Sequence, residues 1–170
     1  MNTSAFTIEP EGPDDGPAIS QLLDVAFGPD RHNKTSYRLR DGVAPPGNLS
    51  FVARHDGELV GTIRFWPVRV GAMETGVLLL GPLAVSSSIR GQGCGLALMR
   101  HGLNVARTAG YRLVLLVGDL PYYAKAGFAR VPGGRLAMPG PVDPARLLYA
   151  ELVSGAMDGV GGAVRRDAAG

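Results

Sequence analysis

The rhythm of apolar and polar positions changes several times along this chain, and each change marks an element. Phe6-Thr7-Ile8-Glu9 alternates as a short strand does, and Pro10-Glu11-Gly12-Pro13 ends it. Asp14 or Asp15 then offers a cap for a helix with Pro17 in its first turn. Ile19, Leu22, Leu23 and Ala26 form the apolar stripe of that helix, and Gly28-Pro29 stops it. Asp30 to Asp41 is polar and basic, with Tyr37 and Leu39 as anchors. It reads as a short second helix or mobile loop whose charges face solvent, closed by Gly42 and Pro45-Pro46-Gly47. From Leu49 the period falls to two. Leu49–Arg54 and Glu58–Val70 are strands joined at His55-Asp56-Gly57, and Pro67 puts its end of the second strand at an edge or a bulge. Gly71 to Gly76 turns into a third strand, Val77–Val85. Turns this short join antiparallel neighbours, so these strands form a meander.

The next segment changes character. Ser86-Ser87-Ser88-Ile89 is a polar turn, and Arg90-Gly91-Gln92-Gly93-Cys94-Gly95 is a glycine-rich loop that opens a helix running to Gly110. Leu96, Met99, Leu103 and Ala106 give that helix an apolar stripe. Gly102 weakens it by about 1 kcal/mol relative to alanine, and Gly110 is its C-terminal cap. Tyr111–Val117 is apolar on both faces, as a parallel strand in a covered sheet is. Strand, crossover helix and strand make a βαβ unit whose glycine loop sits at the carboxyl end of its first strand, where open α/β sheets bind ligands. Beyond it lie a short helix at Tyr122–Ala126, a stop at Gly127 and a strand beginning at Phe128–Val131. Pro132 to Pro144 is loop-rich, Leu147–Val153 is the last strand, and Gly159 to Gly170 reads as frayed.

Composition narrows the classes. The chain of 170 residues, 45% hydrophobic and 19% charged, suits a folded protein and is read as a single domain, 1–170. A net charge of +2 gives no reason to expect nucleic acid or an anionic membrane as partner. Met1 to Ala5 lacks the basic and apolar regions of a signal peptide, and the longest apolar runs are too short to span a bilayer. One cysteine precludes an internal disulfide, and no Cys/His cluster has metal-ligand spacing. The expectation is a cytoplasmic protein with no metal.

Glycine-rich backbone ahead of a helix presents unpaired N–H groups backed by the helix dipole, a site for a phosphorylated ligand. A Walker-type loop is excluded because Leu96 and Ala97, not lysine and a hydroxyl residue, follow Gly95. A dinucleotide fingerprint is excluded because counting Gly91 and Gly93 leads to Leu96 where the third glycine belongs. Arg90-x-x-Gly93-x-Gly95 instead resembles the pyrophosphate loop of the GNAT-superfamily N-acetyltransferases, and Tyr123-Ala124-Lys125-Ala126-Gly127-Phe128 resembles their Tyr-x-x-x-Gly-Phe segment. The resemblance covers about residues 6 to 131. Leu80-Gly81-Pro82-Leu83-Ala84-Val85, with Gly118-Asp119-Leu120-Pro121-Tyr122-Tyr123, resembles a bacterial branch of predicted GNAT enzymes whose substrates are mostly unassigned.

The resemblance implies an α/β (α+β) fold with a mixed central sheet: an antiparallel N-terminal meander, a parallel βαβ unit, and helices on both faces. It implies an enzyme moving an acetyl group from acetyl-CoA to a primary amine by direct attack in a ternary complex. The alternatives are a CoA-binding module without turnover, a protein amine as acceptor, or a longer acyl chain. The CoA diphosphate would lie on Arg90, Gly91, Gln92, Gly93, Cys94 and Gly95. Leu83, Ala84 and Val85 would pair their backbone with the pantetheine arm, and Leu83 or Ala84 would meet the oxyanion. Tyr123 is the candidate general acid, selected over Tyr122 by its spacing to Gly127. Cys94 reads as a small filler rather than a nucleophile. Asp119, Glu58, His55 or a water chain remain open as the base, with an Asx turn before Pro121 as the structural role for Asp119. The basic residues between Arg31 and Arg40 leave a carboxylate-bearing acceptor as one option. The protein is a monomer, or a homodimer paired through Leu147–Val153.

Overall fold

The structure, a computed structural model, describes residues 6–28, 30–31, 35–40 and 48–167. The expected stop at Pro29 and turn at Gly42 and Pro45-Pro46-Gly47 lie outside them. A nine-stranded mixed sheet runs β1 (Thr7–Pro10), β2 (Ser50–His55), β3 (Glu58–Val70), β4 (Met73–Val85), β5 (Leu113–Val117), β8 (Leu147–Glu151), β6 (Ala129–Arg130). Two further strands, β7 (Leu136–Ala137) and β9 (Gly162–Arg166), pair with each other, and β9 also pairs with β3. The meander β2–β3–β4 is antiparallel and β4–β5 is the parallel pair. The Asp56-Gly57 turn has positive φ at both residues, 50° and 81°, the conformation that matches hairpin twist.

Pro67 has a simple accommodation. The Phe65 N–H is donated to the Leu49 carbonyl, so odd-numbered β3 residues present their nitrogens to β2. At residue 67 β2 has already ended, and β9 covers β3 only from Val68. A missing N–H costs no ladder bond there.

Alternation sorts side chains onto two faces. Phe51, Ala53, Ile63, Phe65 and Leu78 pack beneath α3 (Cys94–Thr108) with Leu98 and Met99. Val52 and Ala84 face Ile19 and Leu23 of α1 (Gly16–Phe27). The rest of that face, from Trp66 and Leu79 to Leu113 and Leu115, is closed by Met157, Val160 and Val164 of the C-terminal segment. Gly102 sits in α3 because a Cβ there would lie 2.7 Å from Cζ of Phe65. The aromatic ring fills the space and compensates for the propensity lost.

Several expectations are corrected. Asp15 makes no side-chain cap on α1; it accepts from the Gly12 N–H at 2.7 Å and from both-oxygen contacts with Arg54. Ala26 is exposed, and the buried residues of α1 are Ile19 and Leu23. The Gly71–Gly76 turn is confined to Gly71-Ala72, and β4 starts at Met73. The second helix, α2, is a single turn, Thr35–Arg38, and its neighbours Arg31 and Arg40 are buried rather than solvated. Leu147–Val153 is not the last strand: β8 ends at Glu151, and β9 follows within the stretch expected to fray. β8 lies between β5, which it pairs along its whole length, and β6, which pairs with Leu148 and Tyr149.

Candidate active site

The parallel pairing of β4 with β5 covers only Val77–Leu79 against Leu113–Leu115. Beyond it the strands part. On its other side β4 slips register between Ile63↔Leu83 and Phe65↔Leu80, so Gly81 and Pro82 form a bulge. Gly81 has φ 131° and its carbonyl accepts from Trp66 Nε1 at 2.7 Å. After the bulge Leu83, Ala84 and Val85 pair with Ile63, Thr62 and Gly61, with no strand on their free edge. The Ser86 N–H is donated to the Val60 carbonyl at 2.7 Å. By alternation the Ala84 amide also faces β3, whereas those of Leu83 and Val85 face the open edge.

The glycine loop lies at the C-terminal end of β4. A 3-10 turn, Ser87–Ile89, is closed by the Arg90 and Gln92 amides, donated to Ser87 and Ile89 carbonyls at 3.3 Å each. These two N–H groups are therefore spent inside the loop. Among the described residues the amides of Gly91, Gly93, Cys94 and Gly95 have no backbone acceptor, and the last two open α3. Gly91 and Gly93 adopt φ 83° and 80°, and a Cβ on either would meet no protein atom within 4 Å. The backbone thus faces open space at the positive end of a fifteen-residue helix. Arg90 is exposed beside it.

Cys94 is buried at the start of α3, and burial pushes its thiol up to about 11, so it stays protonated and inert. Gly95 is bare because a Cβ there would overlap the Tyr122 hydroxyl. Both tyrosines belong to α4 (Leu120–Tyr123), which starts where β5 leaves the sheet; the Asp119 carbonyl accepts from their amides at 3.2 and 3.1 Å. The Tyr123 ring lies against Gly118 and edge-on to Phe128, with centroids 6.0 Å apart. Burial, with Tyr122 and Asp119 adding to it, pushes the Tyr123 hydroxyl up to about 12. It is a proton donor throughout the physiological range.

Between the parted strands opens a cavity of about 530 Å³. Leu80, Pro82 and Leu83 form one wall, Val117, Tyr122 and Tyr123 another, and Tyr37, Arg40 and Val142 close it. Asp119 stands at its lip, paired with Arg146 at 3.2 Å, and forms no Asx cap on α4. Glu58 and His55 are on the β2–β3 hairpin and do not line the cavity. Sequence reasoning treated Arg40 as a solvated charge; nothing in its local context signals the Tyr37 and Trp66 rings that bury it. Among the described residues no group of His, Cys, Asp and Glu could hold a metal ion.

Comparison with known proteins places this arrangement. Residues 16–128 match the acetyltransferase (GNAT) family. The uncharacterized N-acetyltransferase YhbS of Escherichia coli K12 is 33% identical over 159 residues, 92% of this chain and 93% of that protein. YjhQ of the same organism, likewise an uncharacterized N-acetyltransferase, is 31% identical over 138 residues, 79% of this chain and 76% of its own. The crystal structure of E. coli YhbS in complex with CoA superposes with a TM-score of 0.84 at 31% identity, covering 98% of this chain and 92% of that one. A GNAT acetyltransferase from Brucella melitensis in complex with acetyl-CoA gives 0.61 at 32% identity, covering 92% and 100%. A parted β4–β5 pair, a glycine loop opening a helix and a mixed sheet define an acyltransferase class. The chain belongs to the GNAT family of N-acetyltransferases.

Proposed function

We propose that this protein moves an acetyl group from acetyl-CoA to a primary amine by direct attack in a ternary complex, without an acyl-enzyme. The observation that carries this reading is the cleft between β4 and β5, with Tyr123 on its wall and Tyr122, another of its lining residues, reaching Gly95 of the outward-facing loop. The fit to the cofactor rests on the loop itself. Unspent amides, left-handed glycines and unobstructed space at a helix N-terminus suit a diphosphate.

Gly91, Gly93, Cys94 and Gly95 would hold the diphosphate through their backbone, with Arg90 and Gln92 shaping the loop and Arg90 lending its charge. The free edge of β4 would take the pantetheine amides as an added strand takes a partner, through Leu83 and Val85 flanking Ala84. Of the two oxyanion donors, the Leu83 amide is favoured, since that of Ala84 is aimed at β3. Acetyl-CoA supplies the activated thioester carbonyl. Tyr123 would give its proton to the departing thiolate sulfur, a role its raised pKa suits. Asp119, at the cavity lip, is the one carboxylate among the expected bases that borders the site.

The β9–β3 pairing supports treating residues 1–170 as one acyltransferase domain. Among the described residues no helix is long and apolar enough to cross a membrane, in keeping with a cytoplasmic enzyme.

The test is thiol release from acetyl-CoA across an amine panel. Tyr123→Phe should lower kcat by about 10²- to 10⁴-fold with CoA affinity unchanged. CoA binding without release on any amine, and no effect of the substitution, would instead identify a CoA-binding module.

A further inference from the structure

Among the described residues five arginines are paired with carboxylates. Arg31 pairs with Asp24, Arg54 with Glu9 and Asp15, Arg64 with Glu11, Arg69 with Asp167 and Arg146 with Asp119. Arg40 does not follow this pattern. It is 9% exposed, and its Nε and Nη1 are buried with no hydrogen-bond partner among the described residues. Charge taken out of water is costly unless paired, so an unpaired buried guanidinium that persists calls for a partner that comes and goes.

The surroundings hold Arg40 in place without neutralising it. Its guanidinium carbon lies 4.6 Å from the centroid of the Tyr37 ring and 6.0 Å from that of Trp66. Cation–π contact of this kind orients the guanidinium plane, and Nη2, which is not among its sealed atoms, lies beside Gly81 of the cavity wall. Gly81 admits it: a Cβ at that position would come within 2.8 Å of Nη2. Trp66 also donates its Nε1 to the Gly81 carbonyl, which fixes the β4 bulge beside this arginine. Arg40 lines the same cavity as Leu83 and Tyr123.

We propose that Arg40 binds a carboxylate carried by the acceptor, so that the preferred substrates are small amino acids or ω-amino acids rather than simple amines. A monoanion matches the one cavity cation that has no carboxylate partner among the described residues. The other cavity arginine, Arg146, is about half exposed and already paired with Asp119, so a phosphate dianion would be left half compensated. The proposal rests on the acetyltransferase reading for the amine's fate, but the anion site stands on Arg40 itself.

The experiment uses matched probes: α-amino acids and ω-amino acids of three to six carbons, each beside its primary amide, with aminoalkyl phosphates of similar length. Thiol release gives kcat and KM, and calorimetry gives binding to the free and CoA-loaded protein, for wild type, Arg40→Met and Arg40→Lys. At least one acid should exceed its amide by thirtyfold or more in kcat/KM. Arg40→Met should reduce that preference below threefold, mainly through KM, with CoA affinity and melting temperature little changed. Arg40→Lys should retain part of it. Amides used as well as acids, preference surviving in Arg40→Met, or phosphates favoured over carboxylates would overturn the proposal. Failure of CoA to bind would overturn the acetyltransferase reading instead. Acid binding to the free protein that depends on Arg40 would then uphold the anion site, and its absence would end it.

Discussion

Alanine at Gly93 separates what the loop costs the fold from what it does for a ligand. Gly93 has φ 80° and no protein atom within 4 Å of a Cβ, so Gly93→Ala meets backbone strain and no clash. Gly110, at the other end of α3, has φ 96° and equally open surroundings. For an L-residue the left-handed conformation costs about 1–2 kcal/mol. At about 2–4 °C per kcal/mol for a chain of this size, each variant should melt about 2–8 °C lower than wild type. The Gly93 methyl projects into the space assigned to the diphosphate, whereas Gly110 lies about 25 Å along the helix axis from it. Calorimetric titration with CoA should therefore show at least a tenfold loss of affinity in Gly93→Ala and less than a twofold change in Gly110→Ala. Equal melting losses with equal CoA affinities would refute the claim that this backbone faces the ligand.

Two further outcomes concern the fold. Arg54 and the Gly12 amide hold the Asp15 carboxyl below its ordinary value, so its folded-state pKa lies under the unfolded one. The stabilisation is complete above the unfolded value near 4 and is lost as pH falls through the lower folded value. Asp15→Asn should cost about 1.5 kcal/mol at pH 7 and flatten the acid limb of stability measured by urea unfolding; an unchanged limb would contradict this. Gly102→Ala should destabilise by about 1–3 kcal/mol despite alanine's better helix propensity, and Phe65→Leu in the same chain should recover part of the loss. Additive losses in the double variant would show that the Phe65 ring is not the obstacle.

The sequence was most legible where a local rule acts alone. Period-two alternation from Leu49, the Asp56-Gly57 turn and the glycine spacing before α3 place the meander, the hairpin and the glycine loop. Features created by distant partners were not legible. β9 has one buried residue, Val164, among exposed neighbours, and becomes a strand by pairing with β3 and β7. Where β4 parts from β5 depends on how far Leu113–Leu115 reach, which no residue in either strand announces. Arg31 and Arg40 lie in a basic run that reads as solvated, yet Asp24 and the Ser20 hydroxyl engage one while Tyr37 and Trp66 enclose the other. Asp15 follows a similar rule: a good cap residue is drawn away by a stronger donor, Arg54 of β2.

The measurement that bears most directly on this account is amide NMR of the ¹⁵N-labelled protein during titration with CoA. The largest shifts should fall on Gly91, Gly93, Cys94 and Gly95, with Leu83 and Val85 following and the committed amides of Gln92 and Ala84 moving less. Saturating CoA that leaves the loop amides unmoved, or moves a different surface, would contradict it.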